Sequence, residues 1–394
     1  MAIVDTSPLE YDPFSLYDDP YPIYQRLRDE APVYRNPRRG FWALSRFDDV
    51  SEASKDWETF SNAKGILLGL DHSFYGSGDF LDSDPPVHDE LRQVLRFAFV
   101  PRAISALEPF VRNASERLLD RCVELGEADA ARELAWLLPL EVISNMLGVP
   151  EGDTGQLQGW CSAILSREPG RDGMSDRAET ATRAMRGYFA ALAERKRHAP
   201  EPDLISAMTA ARLPDGRALS DGELQGMCLL VITAGMETTA SLISTAMLVL
   251  AEHPEQRALL VSRPELIPQA VEEILRYDSP IQQLGRVTTR DVELYDQTIP
   301  HGSWVALVYA SANRDGRRFP EPARFDILRE RKRNLAFGDG IHFCLGAPLA
   351  RLEARTAIEH LLRRCPQYEV LGTPRRTPYL TSRGLSELRV AFDP

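Results

Sequence analysis

The stretch Phe337–Gly346 constrains the fold more than any other part of the chain, because it places one cysteine and three glycines among aromatic side chains. A helical run, 347–355, follows at once, with Pro348 in its first turn, where a missing N–H costs little. Cys344 therefore lies at or just before a helix N-terminus, which favours a thiolate. The glycines allow a flat ligand to approach closely. Such a thiolate suits a metal that needs one soft protein ligand, haem iron being the leading case, although a lone cysteine in a glycine-rich turn is more often structural.

The composition describes an ordinary soluble protein of 394 residues, 43% hydrophobic and 26% charged, which allows two or three average domains or one large one. A net charge of −12 argues against nucleic-acid binding. The five cysteines include no CxxC pair, so neither a disulfide framework nor a zinc site is expected. We expect the protein to lie in a reducing cytosol. The first residues have neither a basic nor an apolar segment, and we expect no signal peptide.

The longest predicted helix begins at Ser220, which forms a capping box with Glu223, and ends by Pro254. Residues 228–251 are almost wholly apolar, so a membrane span has to be considered. Glu237 lies at the centre of this run, and a charge there is costly in lipid. We therefore predict a helix buried in the middle of a soluble protein.

The centre of that helix also carries an acid–alcohol pair, Glu237 and Thr238, directly after the small residues Ala234 and Gly235. The small residues would let a flat cofactor lie against the backbone. Thr238 would hold a dioxygen-derived ligand or a water, and Glu237 would supply protons. The alternative is that the threonine bonds back to the preceding turn while the acid pairs with a base elsewhere.

A second pair of polar groups opens an earlier helix. His88 and Arg92 stand four residues apart and share one helical face, from which they could grip two carboxylates. Surface pairs of this kind are common, so this spacing alone is weak evidence for a site that binds carboxylates.

The remaining pattern predicts many helices and fewer strands. Irregular apolar residues over 60–84 suggest a functional loop or one packed on the core, and 168–175 reads as a mobile segment. Further helices are predicted over 103–125, 131–147, 154–167, 176–197, 202–210 and 264–276, and strands over 32–45, 285–289, 292–294, 303–308 and 368–392.

The spacing Phe337-Gly-x-Gly-x-His342-x-Cys344-x-Gly346 resembles the haem-binding loop of the cytochromes P-450, the haem-thiolate monooxygenases. The pair at 88 and 92, the central-helix motif and an ExxR pair fall in the family's order along the chain. The resemblance implies one domain, 1–394, of the cytochrome P-450 fold. That fold is mainly α with a smaller β lobe (about 30–50, 285–310 and 368–392), with haem b between the long central helix and the helix after the cysteine loop.

The resemblance also assigns roles to individual residues. It implies that Cys344 is the metal ligand and that Glu237 and Thr238 are catalytic. Glu273 and Arg276, with Arg324 as third partner, would form a structural network that fixes the cysteine loop. Asn334 departs from the histidine often found before the Leu-Ala-Phe-Gly run, which puts one haem contact in doubt. The implied haem-binding residues are His88, Arg92, Ala234, Gly235, Arg286, Phe337, His342, Cys344 and Gly346.

The implied activity is a dioxygen-dependent monooxygenation in the soluble bacterial manner, by a cytoplasmic monomer. Electrons would come from NAD(P)H through a reductase and a ferredoxin or flavodoxin. The basic run of Arg329, Arg331, Lys332 and Arg333 is either the docking patch for that acidic donor or simply a solvated run. A peroxide-driven oxygenase and a non-catalytic haem sensor or carrier are the rival functions.

The substrate is expected to be a small, apolar or weakly polar molecule, such as a terpenoid, steroid, fatty acyl chain or aromatic ether. Leu229 and Leu230, shortly before Gly235, offer no basic anchor for a carboxylate. The candidate pocket residues are Leu67, Leu68, Leu230, Ile281, Leu284 and Leu385.

Overall fold

The computed structural model describes residues 9–15, 18–69, 78–165, 174–377 and 381–393. Residues 70–77 of the predicted loop and 168–173 of the predicted mobile segment lie outside these ranges. The helices, numbered α1 to α13, are Tyr21–Glu30, Phe47–Lys55, Val87–Arg96, Pro101–Leu125, Leu137–Leu147, Thr154–Leu165, Asp176–His198, Leu204–Ala210, Asp221–Glu252, Pro254–Ser262, Ile267–Tyr277, Tyr309–Ala312 and Ala347–Arg364.

The helix ends follow local chemistry. The side chains of Ser175, Asp203 and Ser220 accept hydrogen bonds from the first turns of α7, α8 and α9, and Ser220 with Glu223 forms the predicted capping box. Gly148 ends α5 in the left-handed conformation. The predicted helices are confirmed with small changes at their ends.

Two predicted helices start later than expected. Residues 131–135 form a π-helical turn, and α5 begins only at Leu137. The N–H groups of Ala131 and Leu388 both donate to Asp129, which ties this turn to the C-terminal strand instead of to the helix. The helix predicted from 264 begins at Ile267, because Pro268 takes a first-turn position after a short 3-10 turn.

The strands, numbered β1 to β12, are Val33–Arg35, Trp42–Leu44, Phe60–Ser61, Glu127–Asp129, Leu284–Thr288, Val292–Leu294, Gln297–Ile299, Trp304–Leu307, Gln367–Val370, Arg375–Arg376, Leu385–Glu387 and Arg389–Asp393. They form small sheets. A five-stranded sheet has the order β1-β2-β8-β5-β3, with β2 and β8 parallel, and a three-stranded antiparallel sheet has the order β4-β12-β9. Strands β10 with β11, and β6 with β7, make two-stranded pairs. Strands β1, β2 and β5 to β12 lie in or next to the three parts expected to be rich in strands, whereas β3 and β4 lie outside them.

The main apolar core is built around α9, which packs against α5, α7, α11 and α13. Two smaller clusters lie beside the five-stranded sheet, one of them containing Tyr11, Tyr24 and Leu68. The architecture is therefore mainly α with a smaller β lobe, as predicted.

By length and composition α9 could cross a membrane, but 83% of its most apolar 18-residue window is buried inside the protein. It is a core helix, because its apolar surface is already covered by other helices.

Candidate functional site

The central part of the long helix α9 has one small face that is only partly buried. Between residues 226 and 250 every residue is buried except Ala234, Gly235 and Thr238, which share one face. A Cβ at Gly235 would lie 3.2 Å from Cδ1 of Ile143, so the glycine also allows α5 to pack closely. The centre of the protein thus contains a small-residue face on which another group can lie.

Both members of the acid–alcohol pair form hydrogen bonds with neighbouring groups. The Thr238 hydroxyl donates to the Ala234 carbonyl at 2.8 Å, the back-bond that sequence reasoning gave as the alternative, and its oxygen can still accept. Glu237 is 8% exposed and accepts a hydrogen bond from the hydroxyl of Ser382. Sequence reasoning missed Ser382, because its partner is 145 residues away and a lone serine carries no signal.

The cysteine loop is closed by its own backbone and by α2. The Cys344 N–H donates to the Phe337 carbonyl at 2.9 Å, and Asp339 accepts from the Gly340 N–H at 2.7 Å and from Ser51 at 2.8 Å. Gly340 has φ +68°, and a Cβ there would overlap the carbonyl oxygen of Ser54. This glycine is therefore required both by its backbone angle and by the approach of α2.

Opposing effects act on the Cys344 thiol. Burial raises its pKa, whereas a hydrogen bond from the Gly346 N–H and the positive charges of Arg92 and Arg351 lower it. Burial prevails, so the thiolate predicted from the helix N-terminus is not produced by the dipole alone. A cation bound to the sulfur would favour the thiolate, as is expected of a metal ligand.

His88, Arg92, Arg286 and His342 form what we call the donor cluster. The rings of His88 and His342 are 4.5 Å apart, and burial followed by the charges of Arg286, His88 and Arg92 lowers the pKa of His342 to about 2. Within the described part of the chain, Nε2 of His88 and both ring nitrogens of His342 are buried without a hydrogen-bond partner. Because buried polar groups are normally paired, this cluster fits a ligand with anionic groups.

The predicted structural network forms, but its third member is different. Arg276, buried, donates to Glu273 through Nε at 2.7 Å and Nη2 at 2.8 Å. The third side chain is Arg329, whose Nε lies 3.1 Å from Glu273 Oε1. The prediction of Arg324 is wrong for the side chain, which is 61% exposed and faces Glu321 and Asp326, while its carbonyl accepts from Arg276.

Comparison with known proteins identifies the family. The family model described as Cytochrome P450 matches residues 172–381, more than half of the chain. The chain belongs to the cytochrome P450 family.

Individual similar proteins and solved structures support the same family. Cytochrome P450 130 of Mycobacterium tuberculosis is 38% identical over 365 residues, covering 90% of either chain. The Vitamin D(3) 25-hydroxylase of Pseudonocardia autotrophica is 38% identical over 408 residues, covering 100% of this chain and 99% of its own. The crystal structure of CYP109E1 from Bacillus megaterium in complex with testosterone has a TM-score of 0.88 and 32% identity, over 95% of this chain and 98% of that one. The protein is therefore a bacterial-type P450 monooxygenase, a haem-thiolate enzyme that uses dioxygen.

The residues of this P450 fit a haem. Cys344 supplies a soft sulfur ligand, Arg92 and Arg286 are cationic donors for anionic groups such as two propionates, and the buried ring nitrogens of His88 and His342 that have no partner among the described residues can form further hydrogen bonds. The small face at Ala234 and Gly235 leaves room for a flat group. Asn334 instead contacts α11, with Nδ2 3.4 Å from the Glu272 carbonyl, so it stands apart from this arrangement.

The predicted pocket and docking residues are only partly brought together. Leu230 and Leu385 are buried in the main core, whereas Leu68 is buried in the smaller cluster with Tyr11. Leu67 is buried, and Ile281 and Leu284 are half-buried.

In the basic run, Arg329 is only 14% exposed and pairs with Glu273, so it is not free to dock a partner. Arg331, Lys332 and Arg333 are exposed, although Lys332 also pairs with Glu330 and Arg333 with Asp339.

Proposed function

We propose that this P450 binds haem b with Cys344 as the protein ligand of the iron. We further propose that it inserts one atom of dioxygen into a small, largely apolar organic substrate, by hydroxylation or O-dealkylation. The observation that carries this proposal is the donor cluster, in which Nε2 of His88 and both ring nitrogens of His342 are buried beside the cysteine loop without a hydrogen-bond partner among the described residues. When bound, the haem supplies the redox chemistry that activates dioxygen, and the protein supplies position and electrostatics.

Around that group, each element of the chain has a separate task. Ala234 and Gly235 on α9 leave room on one side, and Phe337 and Gly346 flank the ligand cysteine on the other. The donor cluster binds the propionates by charge-assisted hydrogen bonds. The network of Glu273, Arg276 and Arg329 holds the loop between α11 and α13 without touching the substrate.

Glu237 and Thr238 are the proposed catalytic pair. The Thr238 oxygen, fixed by its bond to Ala234, accepts a hydrogen bond from a water or dioxygen-derived group on the open face of α9. Glu237, one residue earlier, delivers protons towards that face and regains them from solvent water. This pair favours a dioxygen-using enzyme over a peroxide-driven one.

The substrate is proposed to be steroid-like or of similar apolar character. The half-buried Ile281 and Leu284 are the proposed rim of its pocket, and Leu67, Leu230 and Leu385 contribute apolar surface behind it. Two similar proteins, the vitamin D(3) hydroxylase and the testosterone complex, act on or bind molecules of this kind.

Bacterial P450s use redox partners such as ferredoxin. For this chain we propose NAD(P)H as the electron source, through a reductase and a ferredoxin or flavodoxin. The proposed docking patch is Arg331, Lys332 and Arg333, just ahead of the cysteine loop, where an acidic partner would be close to the thiolate side of the haem. Arg329 is excluded from it by its bond to Glu273.

We also propose that the chain acts as one domain, as a cytoplasmic monomer. The main apolar core, whose residues run from Phe80 to Phe392, supports the single domain.

The test is NADPH-driven turnover under ¹⁸O₂, with a ferredoxin, its reductase and a panel of steroids, terpenoids, fatty acids and aromatic ethers. Compounds are chosen by the spin-state shift they cause in the haem spectrum. We expect a product that carries one ¹⁸O atom, with peroxide alone far less effective. Turnover only with peroxide would support the peroxide-driven rival, and oxygenation of no compound would support the sensor or carrier.

A further inference from the structure

A short C-terminal turn, residues 381–384, lies directly against the catalytic helix. Its Ser382 hydroxyl donates to Oε1 of Glu237, and the two side chains are only 4% and 8% exposed. This contact links the proposed proton donor to an element from the other end of the chain.

Close packing fixes the distance between the turn and α9. A Cβ at Gly384 would overlap the Oγ of Ser241, which lies one helical turn after Glu237 on the same face. Only glycine lets the turn approach this closely. The position of Ser382 over Glu237 is therefore set by backbone packing as well as by its own hydrogen bond.

The turn is also anchored on its far side. The Gln282 N–H donates to the Thr381 carbonyl at 2.7 Å, the Arg383 N–H donates to the Pro280 carbonyl at 2.7 Å, and Ile281 forms a β-bridge with Ser382. The Arg383 side chain donates through Nε to the buried Asp278 at 2.9 Å. The segment 280–282, which includes Ile281 of the proposed pocket rim, is thus hydrogen-bonded to the turn that carries Ser382.

A serine hydroxyl suits a carboxyl that gains and loses protons. It donates to the ionised carboxylate and can accept from the protonated acid, whereas lysine or arginine can only donate. We propose that Ser382 is a positioning residue, which holds the Glu237 carboxyl in the orientation for proton delivery and couples that orientation to the pocket rim at Ile281. This inference rests on the proposed function, in which Glu237 supplies protons.

The experiment measures NADPH consumption by the holoenzyme with saturating ferredoxin and reductase, with vitamin D3 as the probe. Product, peroxide and water are all counted, so vitamin D3 need not be the physiological substrate. We expect Ser382→Ala to slow NADPH consumption roughly tenfold and to raise its solvent deuterium isotope effect, because a misplaced proton donor slows proton transfer. The vitamin D3-induced spectral shift should keep its half-saturation concentration, and Ser382→Thr, which restores the hydroxyl, should recover most of the rate.

Two comparisons separate positioning from general damage. Ser244→Ala removes another buried hydroxyl of α9, whose hydrogen bonds among the described residues stay within its own helix, to Ala240 and Ser241. It should leave the rate and isotope effect unchanged. In a Glu237→Gln background, Ser382→Ala should cause no further loss, since it acts through Glu237.

A wild-type rate in Ser382→Ala beside a slow Glu237→Gln, or additive losses in the double variant, would overturn the inference and leave the proposed function intact. A wild-type rate in Glu237→Gln would remove the role of Glu237 and the inference together. No NADPH consumption by the wild type would overturn the proposed function itself.

Discussion

Two charged clusters of this P450, the network of Glu273, Arg276 and Arg329 and the donor cluster, differ in whether their polar groups have hydrogen-bond partners. This difference distinguishes a structural cluster from a ligand-binding one. In the network of Glu273, Arg276 and Arg329, each charge faces an opposite charge or a carbonyl group. In the donor cluster, by contrast, Nε2 of His88 and both ring nitrogens of His342 are buried with no partner in the described ranges, and Asp89, the carboxylate that His88 Nδ1 contacts at 2.8 Å, is 67% exposed. A complete network stabilises the fold, whereas an incomplete one marks the place of a ligand.

The largest effect is expected from breaking the complete network. Arg276→Ala leaves the buried Glu273 without its main partner, which costs about 3–5 kcal/mol of folding free energy. We expect almost no protein to be recovered with haem, as measured by the ratio of haem to protein absorbance after expression.

Arg324→Ala is the matched control, because this side chain is 61% exposed and its ion pairs within the described ranges are with Glu321 and Asp326. It should change the unfolding free energy by less than about 0.5 kcal/mol. Equal damage from the two variants would restore Arg324 to the network and contradict the assignment of Arg329.

A substitution in the donor cluster should weaken haem binding and leave the folding free energy almost unchanged, which is a smaller effect than that of Arg276→Ala. Arg286→Gln removes one proposed propionate donor, a loss of about 1–3 kcal/mol of haem binding, or roughly ten- to a hundredfold faster haem transfer to apomyoglobin. The apoprotein should unfold at the wild-type temperature or slightly higher, because like charges are removed. Loss of stability in the apoprotein, with unchanged haem transfer, would show that the cluster is scaffold.

A buried carboxyl outside both clusters, that of Glu353, allows a further test of this comparison. Glu353 on α13 is 2% exposed, its Oε2 has no partner within the described residues, and burial raises its pKa well above the usual carboxyl range. The folded protein then binds more protons than the unfolded chain, so stability is complete at acid pH and is lost as pH rises through the raised pKa. Each unit of the pKa shift corresponds to about 1.4 kcal/mol.

Glu353→Gln should therefore abolish most of the fall in melting temperature of the holoprotein between about pH 5 and pH 8. Its haem transfer rate should match the wild type, since Glu353 is outside the donor cluster. Identical pH profiles of wild type and variant would show that this carboxyl titrates normally.

The smallest effect is expected at Asn334, where the family often has histidine. The asparagine side chain accepts from the Ala336 N–H at 3.1 Å and contacts Glu272 of α11. Asn334→His should alter haem transfer by less than about twofold, corresponding to below about 0.5 kcal/mol. A tenfold slower transfer would place residue 334 among the haem-binding groups.

Contacts between residues that are close together in the sequence could be predicted from it, whereas contacts between distant segments could not. The capping box of α9, the Glu273–Arg276 pair and the cysteine loop depend on neighbours within one or two turns, and each forms as expected. Arg329 and Arg324 lie five residues apart in an irregular segment, where no periodicity indicates which side chain turns inward. The approach of Ser382 to Glu237 depends on tertiary packing alone.

The burial of the predicted pocket residues shows the same limit. Leu68 and Leu230 are both buried, but in different clusters, because hydrophobicity specifies burial and not which core a side chain joins. The late start of α5 has a similar cause, since Asp129 and the C-terminal strand hold the preceding turn.

The central claim is that the sulfur of Cys344 binds the haem iron. The most direct test is the absorption spectrum of the reduced holoprotein under carbon monoxide, for the wild type, for Cys344→Ser and for the control Cys161→Ala. Wild type and control should show the strongly red-shifted band of a thiolate-bound haem, and Cys344→Ser should lose it. A thiolate band that persists in Cys344→Ser, or is missing from the wild type, would contradict the assignment.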